Sequence, residues 1–174
     1  MSTILVNNIK DTGNNTLLTS DGSGNVTLDN QAFKSLPLFS VSRNSVQALT
    51  QNVWQKINFN AERYDTNNCF DSTTNYRFTP TISGHYMFNG NINFGTGTTT
   101  DSRVSLYKNG SLTVSGTAIG ATNSNGTPFV GQAYANGTTD YFELFAYTGA
   151  SGNSLYGDGS LNYTTFQGYR IIGT

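Results

Sequence analysis

The stretch YDTNNCFDSTTNYRFTPTISGHYMFNGNINF, residues 64–94, decides how this chain folds. It opens as a polar loop, passes through Tyr76-Arg77-Phe78-Thr79-Pro80 and Ser83-Gly84, and then sets Tyr86, Phe88, Ile92 and Phe94 at alternating positions. Successive side chains of a strand point to opposite faces, so this spacing predicts a half-buried strand, aromatic inside and Asn-rich outside. His85 falls on the face opposite Tyr86 and Phe88, which reads as a surface or subunit-interface histidine rather than a catalytic one.

The same alternation recurs on both sides of that strand. Residues 39–43 and 53–60 precede it, the latter setting Val53, Gln55, Ile57 and Phe59 against Trp54, Lys56, Asn58 and Asn60. Residues 76–79, 103–108, 112–115, 129–135, 141–147 and 161–172 complete the predicted strands. Asn109-Gly110 is the favoured two-residue hairpin pair, because both positions tolerate the positive φ of a type I′ turn, and Asn136-Gly137 marks another tight connection. No segment longer than a turn has the apolar spacing of an amphipathic helix, although one helical turn fits between Gln47 and Val53. Short strands punctuated this regularly predict an all-β sandwich or barrel of antiparallel sheets.

The connections alternate between long and tight. In an antiparallel fold successive connections lie at opposite ends, so the long Gly/Asn/Ser/Thr-rich segments 95–102, 119–127 and 148–160 are expected to share one pole as a recognition surface. The candidate receptor-binding residues there are Thr99, Asp101, Asn123, Asn125, Asn153, Tyr156 and Asp158. Tyr156, set in a Gly-rich loop, is the preferred exposed aromatic. Tyr107, Tyr134, Tyr147, Tyr163 and Tyr169 could stack on sugar rings if exposed, but the polar residues alternating with them favour packing in the sandwich or along a subunit axis.

Residues 1–30 read differently from the head expected over 31–174. Ile4, Val6, Ile9 and Leu17 belong to short apolar patches separated by DTGNN and SDGSGN turns, too short to bury a face within one chain. Three copies about a common axis would solve that problem, which predicts an intertwined arm anchoring the head; a disordered linker is the alternative.

With 11% charged residues and a net charge of −1, the chain lacks the basic surface that phosphate neutralisation needs, so no nucleic-acid partner is expected. A lone Cys69 excludes an internal disulfide and a thiolate metal site. No apolar run approaches the ~18 residues of a membrane span, and the N-terminus lacks a basic leader followed by ~7 or more apolar residues, so neither membrane insertion nor export is expected. Asn-x-Ser/Thr triplets, as at Asn25, follow from an Asn/Thr-rich composition.

No catalytic constellation is legible. Glu62 and Glu143 fall near separate strands, and there is no GxSxG, Walker or HExxH motif, so no catalytic residue and no cofactor is expected. Asp65, Asn67, Asn68 and Asp71 offer oxygen ligands without ordered cation-loop spacing, as do Asp101 and Asp158, and read as solvated turns.

FSVSR, VWQKINFN, the Asp65-to-Asp71 loop, YRFTP, SGHYMFNGNINF, LYKNG, TTDYFELFAY and FQGYRI, in that order over residues 39–172, resemble the jelly-roll domain of the complement-one-q and tumour necrosis factor family. Thr139-Asp140 stands where the family carries a Gly-Asp pair. The resemblance implies a trimer formed through an aromatic strand face. The opening STILVNNIKDT and LLTSDGSGNVT segments look like those of bacteriophage fibre and spike proteins, marine ones in particular. Together these imply a virion protein assembled in the host cytoplasm: a homotrimeric tail fibre or spike that binds other virion proteins through its arm and a host glycan or protein through its head. A capsid decoration or head-fibre trimer is the alternative, and a polysaccharide-degrading enzyme a weaker one.

Overall fold

The computed structural model describes residues 7–28, 36–95, 98–122, 126–160 and 163–171. It divides after Leu36, where the sequence placed the boundary after Asn30. The first unit is a three-stranded antiparallel meander of β1 (Asn8–Lys10), β2 (Thr16–Ser20) and β3 (Val26–Leu28). Its two turns repeat one device: Asp11 Oδ1 accepts from the Asn15 amide N–H, and Asp21 Oδ1 accepts from those of Ser23 and Asn25. These bonds hold both carboxyls below the usual carboxylate range, led by the side-chain amides of Asn15 and Asn25. Ile9 stands in register with Leu18, and Leu18 with Leu28, so Leu18 rather than Leu17 continues the row begun by Ile9. Ile9 and Val26 stay about half exposed, at 47% and 56%. Ile4 and Val6 lie outside the described residues.

The second unit comprises β4 (Leu38–Ser42), β5 (Gln47–Ala48), β6 (Gln55–Lys56), β7 (Ala61–Asp65), β8 (Phe70–Asp71), β9 (Arg77–Phe78), β10 (Gly84–Asn93), β11 (Thr98–Lys108), β12 (Ser111–Thr122), β13 (Gly126–Ala135), β14 (Phe142–Thr148), β15 (Ser154–Leu155) and β16 (Thr165–Arg170). A five-stranded sheet runs β13-β10-β16-β4-β7, and a second runs β12-β11-β14-β9-β8 with β6 also on β14. All pairings are antiparallel. Between the sheets lies a core of Phe rings. Phe88 sits 4.8 Å from Phe142 and 5.9 Å from Phe166, and Phe39 stacks on Phe78 at 4.4 Å. Tyr86, Phe88 and Ile92 are fully buried while His85 and Asn91 are exposed, as the period-two reading of β10 requires.

Four local expectations are corrected. Residues 53–60 form no continuous strand: only Gln55 and Lys56 pair with β14, after which Ile57 and Phe59 turn down into the core. A strand, β7, occupies 61–65 and so takes in the start of the polar loop expected from Tyr64 onward; as a sheet edge it has little apolar face to betray it. The segment 47–53 is a two-residue strand and a turn rather than a helical turn. Most of the expected loops 95–102 and 119–127 belong to strands, since β11 and β12 extend to Thr98 and Thr122 through three register shifts. Thr99 is thus in a ladder opposite Ala121. Asn109 and Gly110 take φ of 54° and 76°, as a type I′ turn demands, but at the other tight turn only Gly137 is positive, at 74°.

Candidate functional site

Strand direction gives the head two unlike ends. At one end lie the tight turns after Lys108 and Ala135, together with Leu38, where the chain enters β4. At the other gather the connection after β10, the 43–54 segment and the loop from Gly149 to β16.

That last loop is built rather than loose. Thr148 Oγ1 accepts from the Ala150 amide and from Asn153 Nδ2, while the Leu49 amide donates to the Asn153 carbonyl. β15 pairs with β5, the Gly95 amide donates to the Ser154 carbonyl, and the Tyr156 amide donates to the Asn93 carbonyl at 2.7 Å. Thr164 Oγ1 donates to the Tyr156 carbonyl at 2.6 Å. A Cβ on Gly157 would run into the Ser45 backbone, so this residue lets the loop close onto the 43–46 segment.

These anchors hold Tyr156 at 39% exposure, its ring edge-on to Tyr163 at 4.9 Å. The other expected receptor residues divide. Asp101 and Asp158 are partly exposed, but Asp101 forms a bidentate pair with Arg103 at 2.7 and 2.8 Å, and Asp158 accepts from the Ser160 amide. Asn153 is corrected: it is 2% exposed, and its amide is spent on Thr148 inside the loop, so it offers nothing to a receptor. Asn123 and Asn125 lie outside the described residues.

The second surface is the face of the five-stranded sheet turned away from the core. Register places Tyr134 beside His85, Met87 between Gln132 and Tyr169, and Asn89 between Val130 and Gln167. Tyr169 adjoins Leu38, and Tyr64 adjoins Ser40. Val130 is 68% exposed, and Tyr64, Tyr134 and Tyr169 are about half exposed. Leu38, Tyr64, Asn89, Gln167 and Tyr169 frame a shallow cleft of about 320 Å³ on this face. An outward face carrying three tyrosines and a valine leaves apolar area in water that a partner could cover.

A more polar cleft of about 450 Å³ lies beside the β8–β9 hairpin, lined by Glu62, Cys69, Asp71, Asn75 and Arg77 among others. Its acidic groups serve the backbone. Asp71 accepts from the amides of Thr73, Thr74 and Asn75, which hold its carboxyl far below the usual range, and Asp65 accepts from those of Asn67 and Phe70. Burial pushes the Cys69 thiol up, away from the reactive thiolate. Glu143 is buried and paired with Lys56 at 2.9 Å. Among the described residues no group of three His, Cys, Asp or Glu could hold a metal ion.

The two packed antiparallel sheets make the head a jelly roll of the tumour necrosis factor-like and complement-one-q-like kind. No family model matches the chain, and no curated protein does either. Among solved structures it is similar to murine APRIL at pH 5.0, with 8% identity and a TM-score of 0.58 over 78% of this chain and 99% of that one. It is similar to the globular domain of zebrafish complement 1qA protein, with 21% identity and a TM-score of 0.54 over 79% of this chain and 98% of the other. It is also similar to the vertex protein P5 of PRD1, with 14% identity and a TM-score of 0.51 over 78% of this chain and 96% of that one.

Proposed function

We propose that this chain is a non-enzymatic structural protein of a bacteriophage particle, a homotrimeric spike or tail fibre whose jelly-roll head attaches to a host surface glycan or protein. The observation that carries the reading is the outward face of the five-stranded sheet, where Tyr64, Val130, Tyr134 and Tyr169 leave apolar surface that copies of the same chain would cover. Ile9 and Val26 leave a comparable deficit on the arm, which would be met by winding with other arms or by docking on other virion proteins.

Light scattering at micromolar concentration should return three times the chain mass, and Tyr169→Asp should lower it by placing a charge on the shared face. A monomer mass for the parent protein would overturn the trimer. Removing residues 1–30 should leave a folded head that no longer joins the particle.

The fold shared with a vertex protein favours a second reading, a trimer on the capsid rather than the tail. Binding of a 1–30 peptide to isolated tails or to empty heads separates the two.

Host contact is assigned to the loop end, with Tyr156 as its aromatic centre and threefold repetition supplying avidity. Tyr156→Ala should remain a folded trimer yet bind host cells poorly. Unchanged binding, combined with loss on altering the Asn109-Gly110 turn, would reverse the polarity.

A further inference from the structure

The second sheet bears an aromatic layer on the face away from its core. Phe142, Leu144 and Ala146 of β14 point inward and are buried, whereas Phe145 and Tyr147 occupy the opposite face. β11 contributes Tyr107, stacked on Phe145 at 4.1 Å, and the segment before β6 contributes Trp54, 5.5 Å from Tyr147 and 6.3 Å from Tyr107. All four rings are partly exposed. They cover the sheet strongly enough to bury Ser105, which pairs in register with Phe145.

Polar groups surround this plate, and the charges of Arg103 and Lys56 are matched. Arg103 lies over the Tyr147 ring at 5.5 Å and is held by Asp101, while Lys56 is paired with the buried Glu143. Asn52 Oδ1 accepts from the Tyr147 hydroxyl at 3.0 Å. Two donors remain: among the described residues neither the Trp54 indole N–H nor the Tyr107 hydroxyl has a hydrogen-bond partner.

We propose that this plate is a binding site for neutral glycan chains. Apolar ring faces, neutralised charges and spare hydrogen-bonding groups together suit a ligand with C–H faces and a hydroxyl rim. An apolar peptide would strand the two donors, and a polyanion would find Arg103 and Lys56 already paired. The C–H face of a pyranose stacks on Trp54 and Tyr107, and its hydroxyls bond the indole N–H, the Tyr107 oxygen and the Asp101–Arg103 pair. The site is distinct from Tyr156 at the loop end and needs neither the trimer nor the virion reading.

Trp54 is the chain's single tryptophan, so its emission reports on the plate directly. The full chain would be titrated with cellohexaose, maltohexaose and dextran, and with heparin as the anionic comparison. A saturable emission change with at least one neutral glycan is expected. Tyr107→Ala should weaken it roughly tenfold, Tyr107→Phe less, and Tyr156→Ala not at all. Tyr107→Phe keeps the ring and so keeps the comparison usable if the alanine variant does not fold. A flat response to all three neutral glycans, a stronger response to heparin, or unchanged affinity in both Tyr107 variants would overturn the proposal. Loss of host binding in Tyr156→Ala with an intact emission response would leave both assignments standing. Failure of the trimer test leaves this one untouched.

Discussion

Phe88→Ala should lower the stability of the head by about 3–5 kcal/mol, the cost of deleting a fully buried ring whose neighbours cannot close over the void. Phe88 contacts both sheets: Phe166 and Tyr86 lie on its own side, at 5.9 and 6.3 Å, and Phe142 and Phe78 on the other, at 4.8 and 6.1 Å. Phe39, at 6.5 Å, adds a fifth ring. Gly168 lies directly opposite in β16, and a Cβ there would stand 2.7 Å from the Phe88 ring and 2.8 Å from that of Phe39. The space is already filled to the backbone, so a truncated side chain leaves a hole rather than a looser fit. Asn89→Ala should cost much less, since Asn89 lies on the opposite face, on the rim of the outer cleft. Urea midpoints of the two variants decide the matter: equal losses would mean that the faces of β10 are inverted.

That contrast marks what the sequence made legible. Where one face of a strand is buried and the other wet, as at Tyr86, His85, Phe88 and Ile92, period two alone assigns every side chain. Ile57 and Phe59, which share one side of the 53–60 alternation, are both buried, Ile57 with its amide still donating to the Leu144 carbonyl of β14 and Phe59 beyond that ladder, because their burial depends on apolar character more than on strand pairing.

The signal fails where neither face or both faces are apolar. The Thr- and Gly-rich ends of β11 and β12 have no alternation to read, yet they pair with each other through backbone bonds. β14 is aromatic on both faces, so nothing in FELFAY says that Phe145 and Tyr147 lie outside while Phe142 lies inside. Asn153 shows a third failure: an Asn among Gly and Ser resembles any solvated turn residue, and only the proximity of Thr148 explains its burial.

In the sequence Asp140 stands out only as half of the Thr139-Asp140 pair, but the structure makes it the tie between the two tight turns, and its removal is the other large effect expected. Its carboxylate accepts from Asn109 Nδ2, from the Asn136 amide and from Lys108 Nζ, each at 2.8 Å. Asn109 returns the link by accepting from the Tyr141 amide, and Asn136 Oδ1 accepts from the Asp140 amide itself. The side chain of Asp140 is only 8% exposed, so Asp140→Ala would take the shared acceptor from three donors at once, although Asn109 and Asn136 are exposed and Lys108 is 26% exposed. A loss of about 2 kcal/mol is expected, tempered by what Lys108 recovers from solvent. The bonds from Lys108 and Asn109 hold the Asp140 carboxyl below its ordinary value. A depressed folded-state pKa means that this stabilisation is complete above the unfolded value of about 4 and disappears as pH falls through the folded one. The gap in urea midpoint between the parent and Asp140→Ala should therefore be widest near neutrality and narrow in acid below pH ~4. A gap that stayed constant across the acid range would show that the ionised carboxylate is not what joins the turns.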